Sequence, residues 1–257
     1  MMHVQRYGTG PEVYFGLHGW GGNHLTYAPL VPLLPASASF FSADLPGYGR
    51  SPRPASWSAE IIGEAIASEI QKMDVPRVTM VGNCAGAIFG LIAAGLAPER
   101  VRRIVMIDPF AFLPWYFKVF VHPHYGRIAY RGTFANPIGR WMTNASLRNH
   151  RASETHLTDS FKEVDHEVSI QYLEMLDAID GIARFASLTA DVEIVYGERT
   201  FAAVKQSVVQ WQELWPHARQ WRLAAGHLPI EEAPADLAAI LFQSHQFQSH
   251  RATEARL

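Results

Sequence analysis

Short apolar runs recur along the chain and alternate with stretches whose apolar residues fall three or four positions apart. Buried, mainly parallel strands joined by crossover helices produce that alternation. Val13–His18, Ser39–Asp44, Val78–Asn83, Arg103–Asp108, Val192–Tyr196 and Gln220–Ala224 are the predicted strands. Most are rich in β-branched or aromatic residues and end near a Gly-, Pro- or Asp-containing turn. His3–Tyr7, ahead of the Gly8-Thr9-Gly10-Pro11 turn, is predicted as an antiparallel edge strand. Ile61, Ile62, Ala65, Ile66 and Ile70 share one face of a helix over Ala59–Met73, with Ser56 or Ser58 as its N-cap. A second helix is predicted from Ala85 to Ala94 and a terminal one over Ala233–Phe242, followed by a polar, frayed tail over Gln243–Leu257.

Residues Phe110 to Leu188 break the alternation. They hold no convincing core strand and are rich in aromatics, from Phe110, Phe112, Trp115, Tyr116 and Phe117 to Trp141. A mostly helical insertion folded over the carboxyl ends of the strands accounts for them. Any one ring can belong to the insertion's own core. Together, Phe110, Phe112, Trp115, Tyr116 and Trp141, with Trp20 at its border, are expected to wall an apolar pocket, since ligand sites are lined by such side chains.

Composition narrows the function classes. A chain of 257 residues can bury a large core without a metal or disulfide staple, and its single cysteine excludes an intramolecular disulfide. A formal net charge of −2 gives no electrostatic reason to expect nucleic acid or an anionic membrane as partner. With no apolar stretch long enough to span a bilayer and no signal-peptide pattern at Met1–Arg6, the expected location is cytoplasmic, and no transmembrane segment is expected. His122 and His124 flank a proline without the rest of a ligand pattern, so no metal and no cofactor are expected.

The lone cysteine occupies the most telling position. Cys84 sits in Gly82-Asn83-Cys84-Ala85-Gly86, a G-x-C-x-G turn between a predicted strand and a predicted helix. Such a tight turn drives its central side chain outward, and the flanking glycines supply the clearance. An unpaired cysteine is more often a small buried hydrophobe; in this turn it reads as a nucleophile. Leu17-His18-Gly19-Trp20-Gly21-Gly22 resembles the H-G-x-G loop of the α/β-hydrolase superfamily, and Ala43-Asp44-Leu45-Pro46-Gly47-Tyr48-Gly49-Arg50-Ser51 resembles its D-x-P-G-x-G-x-S segment. Ala225-Gly226-His227-Leu228-Pro229 resembles the G-H-x-P segment that carries the superfamily's catalytic histidine. The four match in order and spacing across nearly the whole chain.

That resemblance implies an α/β-hydrolase fold: a mainly parallel central sheet flanked by helices, with residues 1–109 and 189–257 as the core and 110–188 as a helical cap. It implies that Cys84 attacks an acyl carbonyl, with His227 as the base and the N–H groups of Trp20 and Ala85 as the oxyanion hole. A helix N-terminus and a neighbouring histidine both favour a thiolate. By the same analogy His18 braces the oxyanion loop, and Asp44 ties down the Pro46–Gly49 loop without taking part in chemistry. The superfamily's usual acid lies in a G-x-x-D turn, where this chain has Gly197-Glu198-Arg199-Thr200. Asp108, at the end of the strand after the elbow helix, where some members of the superfamily carry their acid, is the favoured choice; Glu198 in the usual loop is the alternative, and no acid at all the third.

The implied substrate is a small ester, thioester or lactone with an apolar acyl part, free or tethered to a carrier or CoA. A thioester intermediate favours amines and thiols over water more than an oxyester does, so hydrolysis and acyl transfer both remain open. So do a non-catalytic binding module and a serine hydrolase whose nucleophile was replaced by cysteine. The sequence does not fix the oligomeric state.

Overall fold

The computed structural model describes residues 1–242; the tail expected over Gln243–Leu257 lies outside them. Among the described residues, seven strands form one sheet: β1 (Val4–Gly8), β2 (Glu12–Leu17), β3 (Ala38–Ala43), β4 (Val78–Asn83), β5 (Val101–Ile107), β6 (Asp191–Gly197) and β7 (Arg219–Leu223). Their spatial order is β1-β3-β2-β4-β5-β6-β7, and only the edge strand β1 runs antiparallel. The sequence placed each strand to within two residues.

Pairing of β2 with both β3 and β4 makes the chain change direction across the sheet at β2, so the crevice outside the carboxyl ends of β2 and β4 is where such folds hold ligands. Strand register brings further residues to that edge. Asn83 pairs with Ile107 and Ile107 with Val195, so Cys84 and Asp108 leave adjacent strands at the same level.

Each face of the sheet carries its own apolar layer, because side chains alternate along a strand. Phe15, Leu17, Met80, Ile104, Met106 and Ile194 pack with α1 (Ala59–Gln71), α2 (Ala85–Leu96) and α7 (Ala202–Leu214), through Ile62, Ile66, Phe89 and Trp211. Tyr14, Val81, Val105, Ile107 and Val195 pack on the other side with Tyr27, Leu30 and the helix over 234–242, through Leu237 and Leu241. Burial on both faces explains why the central strands read as continuous apolar runs. Ser58, not Ser56, caps α1, its hydroxyl accepting from the Ile61 amide at 3.1 Å.

Between β5 and β6 the chain forms α3 (Trp115–Val121), α4 (Gly126–Tyr130), α5 (Pro137–Ser146) and α6 (His166–Asp177). These helices share a cluster of their own around Tyr130, Phe134, Phe161, Ile170 and Leu173. The segment also enters the main core: Tyr172 of α6 packs on Phe89 with ring centroids 5.1 Å apart, and its hydroxyl donates to the Pro46 carbonyl at 2.9 Å. A short helix, α8 (Pro229–Glu232), follows the loop after β7.

Candidate active site

Cys84 stands between β4 and α2 with φ 49° and ψ −114°, a left-handed backbone that few non-glycine residues adopt. The amide of Cys84 donates to the Ile107 carbonyl at 2.8 Å, which fixes the turn against β5. The two glycines are sterically obligatory. A Cβ on Gly86 would lie 2.4 Å from the Leu17 and His18 carbonyl oxygens, and one on Gly82 would lie 2.4 Å from the Ala87 Cα. Helix α2 therefore starts directly against the end of β2, with the partly exposed thiol at its tip.

Asp108 leaves β5 in the same way, with φ 47° and its amide donating to the Val195 carbonyl at 2.8 Å. Its buried carboxylate accepts from the Gly197 amide at 2.9 Å, from the Thr200 hydroxyl, and from His227 Nδ1 at 2.7 Å. The Thr200 oxygen is also 3.2 Å from His227 Nδ1. Burial alone would lower the His227 pKa. The hydrogen bond to Asp108, the contact with Cys84 and attraction to both outweigh it and raise the imidazole to about 10. The ring therefore carries a proton at neutral pH. Glu198, the other candidate acid, is exposed and lines a separate surface groove with Lys205 and Arg222.

The loop carrying His227 is clamped from both sides. The His227 amide donates to the His150 carbonyl at 2.7 Å, and a Cβ on Gly226 would meet that oxygen at 2.1 Å. Glu232 of α8 accepts from the Gly226 amide at 2.7 Å and from the Ala152 amide at 2.8 Å, joining the histidine loop to the segment between β5 and β6. Nothing in the sequence singled out Glu232; only its place one turn beyond the G-H-x-P segment could have drawn attention to it.

The Gly19–Gly22 loop lies against the elbow, since a Cβ on Gly19 would come within 3.3 Å of the Cys84 Cβ. Ala85 is the first residue of α2, so its N–H has no intrahelical acceptor. Trp20's indole N–H donates to the Ser169 carbonyl of α6 at 2.7 Å, and its ring meets Phe117, Phe134 and Phe161 edge-on at 5.4, 4.9 and 4.6 Å. His18 is buried: its Nδ1 lies 2.8 Å from the Gly19 carbonyl, and its Nε2 accepts from the Leu45 amide at 3.0 Å. Burial lowers its pKa to about 4, so the ring is neutral and works as a brace.

Asp44 accepts from the His24 and Arg50 amides at 2.6 and 2.9 Å and from the His24 ring at 2.9 Å. Burial would raise its carboxyl pKa, but these donors hold it below the usual range. His3, His24 and Asp44 offer metal-type ligand atoms within 4.8 Å of one another. Both Asp44 oxygens already accept N–H bonds there, which gives the cluster a structural role. His122 stacks on Tyr125 at 3.8 Å, and His124 is exposed.

A cavity of about 60 Å³ opens beside Cys84. Trp20, Phe110 and Phe112 line it, and Cys84 sets a thiol into a wall of aliphatic and aromatic side chains. Three of the rings expected on this wall stand elsewhere. Trp115 and Trp141 are 78% and 71% exposed and stand outside the cavity. In α5 the polar residues Arg140, Thr143 and Asn144 turn inward, and Arg140 and Asn144 bond there to Phe134, Ala135 and Thr158; Trp141 is thereby left outside. Tyr116 is not on the wall either. Its hydroxyl is buried without a partner among the described residues, and burial, with Cys84 nearby, pushes its pKa up to about 12. The sequence reading missed Phe117, Leu173, Leu176, Ile179, Ile182 and Phe185 on the wall. The three-residue spacing from Leu173 to Ile182 was the available signal.

A seven-stranded, mostly parallel sheet with a strand–turn–helix elbow after β4, a carboxylate after β5 and a histidine after β7 defines an α/β-hydrolase. The family model for the alpha/beta hydrolase fold matches residues 16–234, and the chain belongs to that family. Among individual proteins, it is 24% identical over 262 residues to the pimeloyl-[acyl-carrier protein] methyl ester esterase of Aeromonas hydrophila subsp. hydrophila, covering 93% of this chain and 96% of that one. It is 35% identical over 107 residues to the esterase of the same name from Methylococcus capsulatus, a match covering 41% of this chain and 40% of that protein. A match to the serine hydrolase-like protein of Danio rerio spans 31% of that relative's length, and several others extend little further. The enol-lactonase of Burkholderia xenovorans LB400 superposes with a TM-score of 0.75 at 16% identity, covering 94% of this chain and 95% of that one. Among the described residues, no helix is long and apolar enough to cross a membrane.

Proposed function

We propose that this chain hydrolyses an ester, thioester or lactone with an apolar acyl part through a covalent intermediate on Cys84. The observation that carries the reading is one arrangement. A thiol at a strained elbow opens into an apolar cavity, beside an imidazole that is protonated and held by a buried carboxylate at 2.7 Å.

In this reading Cys84 Sγ forms a bond to the acyl carbon while its proton resides on His227. The carbonyl oxygen gathers negative charge between the N–H groups of Trp20 and Ala85. Collapse breaks the bond to the leaving group, which takes the His227 proton. Water then attacks the thioester, gives a proton to His227, and the carbon–sulfur bond breaks to release the acid. Asp108 orients His227 and stabilises its charge, and residues 110–188 act as a cap whose Trp20–Ser169 bond ties it to the oxyanion loop.

The relatives named as methyl ester esterases of an acyl-carrier-protein substrate favour an acyl group presented on a carrier. Turnover of p-nitrophenyl esters and acyl-thioesters tests the reading, with loss of turnover expected for Cys84→Ala. A large gain for Cys84→Ser would instead mark the cysteine as a substitute for serine.

A further inference from the structure

A second hollow lies behind one wall of the cavity at Cys84. It is a groove of about 250 Å³, with Trp57 and Glu60 at the start of α1 on one side and Gln171, Met175 and Ala178 along α6 and its end on the other. Ile179 lines this groove and the cavity alike, and among the described residues no other side chain lines both. The partition at that point is therefore one side chain thick. Trp57, Met175 and Ala178 give the groove an apolar side on which an alkyl chain can lie, while Glu60, Gln171, Glu174 and Arg184 make the rest of it polar.

Ile179 stands on the turn that follows α6. Its amide donates to the Leu176 carbonyl at 3.4 Å, and its carbonyl accepts from the Gly181 amide at 3.0 Å. Gly181, at φ 66°, reverses the chain and returns Ile182 to the cavity wall. Arg184 then pairs with Glu60 at 2.9 Å, which ties the turn to α1. We propose that Ile179 sets the longest acyl chain the site accepts by closing the cavity against the groove, and that the groove takes the end of a longer chain once this side chain is cut back. This rests on the reading of the cavity as the acyl site.

Within the closed cavity each further methylene should raise kcat/KM about fourfold, until the chain meets Ile179 and the gain stops. Alanine at this position keeps only the Cβ, so a chain can pass into the groove. The test uses the full chain with Ile179→Ala, with Ala178→Trp and with both, on saturated p-nitrophenyl esters from butanoyl to tetradecanoyl. Thermal melts show which are folded, and Ile179→Val, one carbon shorter than the native residue, makes the same comparison if Ile179→Ala does not fold. The native chain and Ala178→Trp should share one limiting length, because Ala178 is exposed and lines the groove alone. Ile179→Ala should move that limit up by about two carbons or more and raise kcat/KM for the first excluded ester about tenfold or more. In the double variant the indole fills the groove, and the limit should return to its native place.

An unmoved limit in the folded position-179 variant, or a longer limit that persists in the double variant, would overturn the proposal. Calorimetric titration of Cys84→Ala, with and without Ile179→Ala, with the free fatty acids of the same series makes the comparison without turnover. The limit in affinity should move as the limit in kcat/KM does, and an affinity limit that stays in place would also overturn the proposal. Failure of the Cys84 reading shows separately, as unchanged turnover in Cys84→Ala, and leaves the titration to decide the role of Ile179.

Discussion

Raising the pH should weaken the folded state through His227. Asp108 and Cys84 raise this imidazole from an ordinary 6.5 to about 10 in the folded chain. The native state thus binds a proton that the unfolded chain has released above pH 6.5. The stabilisation is complete below pH 6.5 and is lost as pH climbs through about 10. One proton sets a ceiling of about 1.4 kcal/mol per pH unit. Between pH 6.5 and 9.5 that allows roughly 4 kcal/mol, and about 2–4 is expected because part of the shift comes from Cys84.

Urea unfolding of Cys84→Ser at several pH values measures it, with the thiol's own titration removed. The same chain with His227→Gln serves as reference, so every other group cancels. Equal pH slopes for the two chains would refute the claim that the buried Asp108–His227 pair is charged.

Gly86→Ala should lose about 2–3 kcal/mol of stability, because its methyl group meets two backbone carbonyls that cannot retreat; an unchanged melting temperature contradicts the elbow packing. Trp20→Phe removes the indole donor to Ser169 and should lose about 1–2 kcal/mol. Its kcat should fall more than its KM rises, and a purely KM effect would separate the oxyanion loop from α6. Ile182→Trp fills part of the cavity and should lower kcat/KM about tenfold or more for octanoyl esters while sparing acetyl esters. Equal losses on both would show that this wall does not hold the acyl chain.

The central strands were legible because burial on both faces demands runs such as Val78-Thr79-Met80-Val81 and Ile104-Val105-Met106-Ile107. The elbow was legible because only small residues fit at 82 and 86. The acid was not. Asp108 and Glu198 both follow strands, and which one meets His227 depends on the register of β5 against β6 and on the turn that exposes Glu198. The pocket wall was half legible. Phe110 and Phe112 follow β5 directly, so their place is set by the sheet. Trp115 and Trp141 sit on helices whose inward face is chosen by tertiary contacts. In α5 the polar bonds of Arg140 and Asn144 override the apolar pattern. Thr200 was visible only as the absence of an aspartate; its contacts with Asp108 and His227 required the folded loop.

Intact-mass analysis after brief mixing with an acyl-thioester tests the central claim most directly. A single adduct of the acyl mass on the native chain, lost in Cys84→Ala and accumulating in His227→Ala or at low pH, is the expected result. Turnover without any adduct on Cys84, or an adduct that persists in Cys84→Ala, would contradict it.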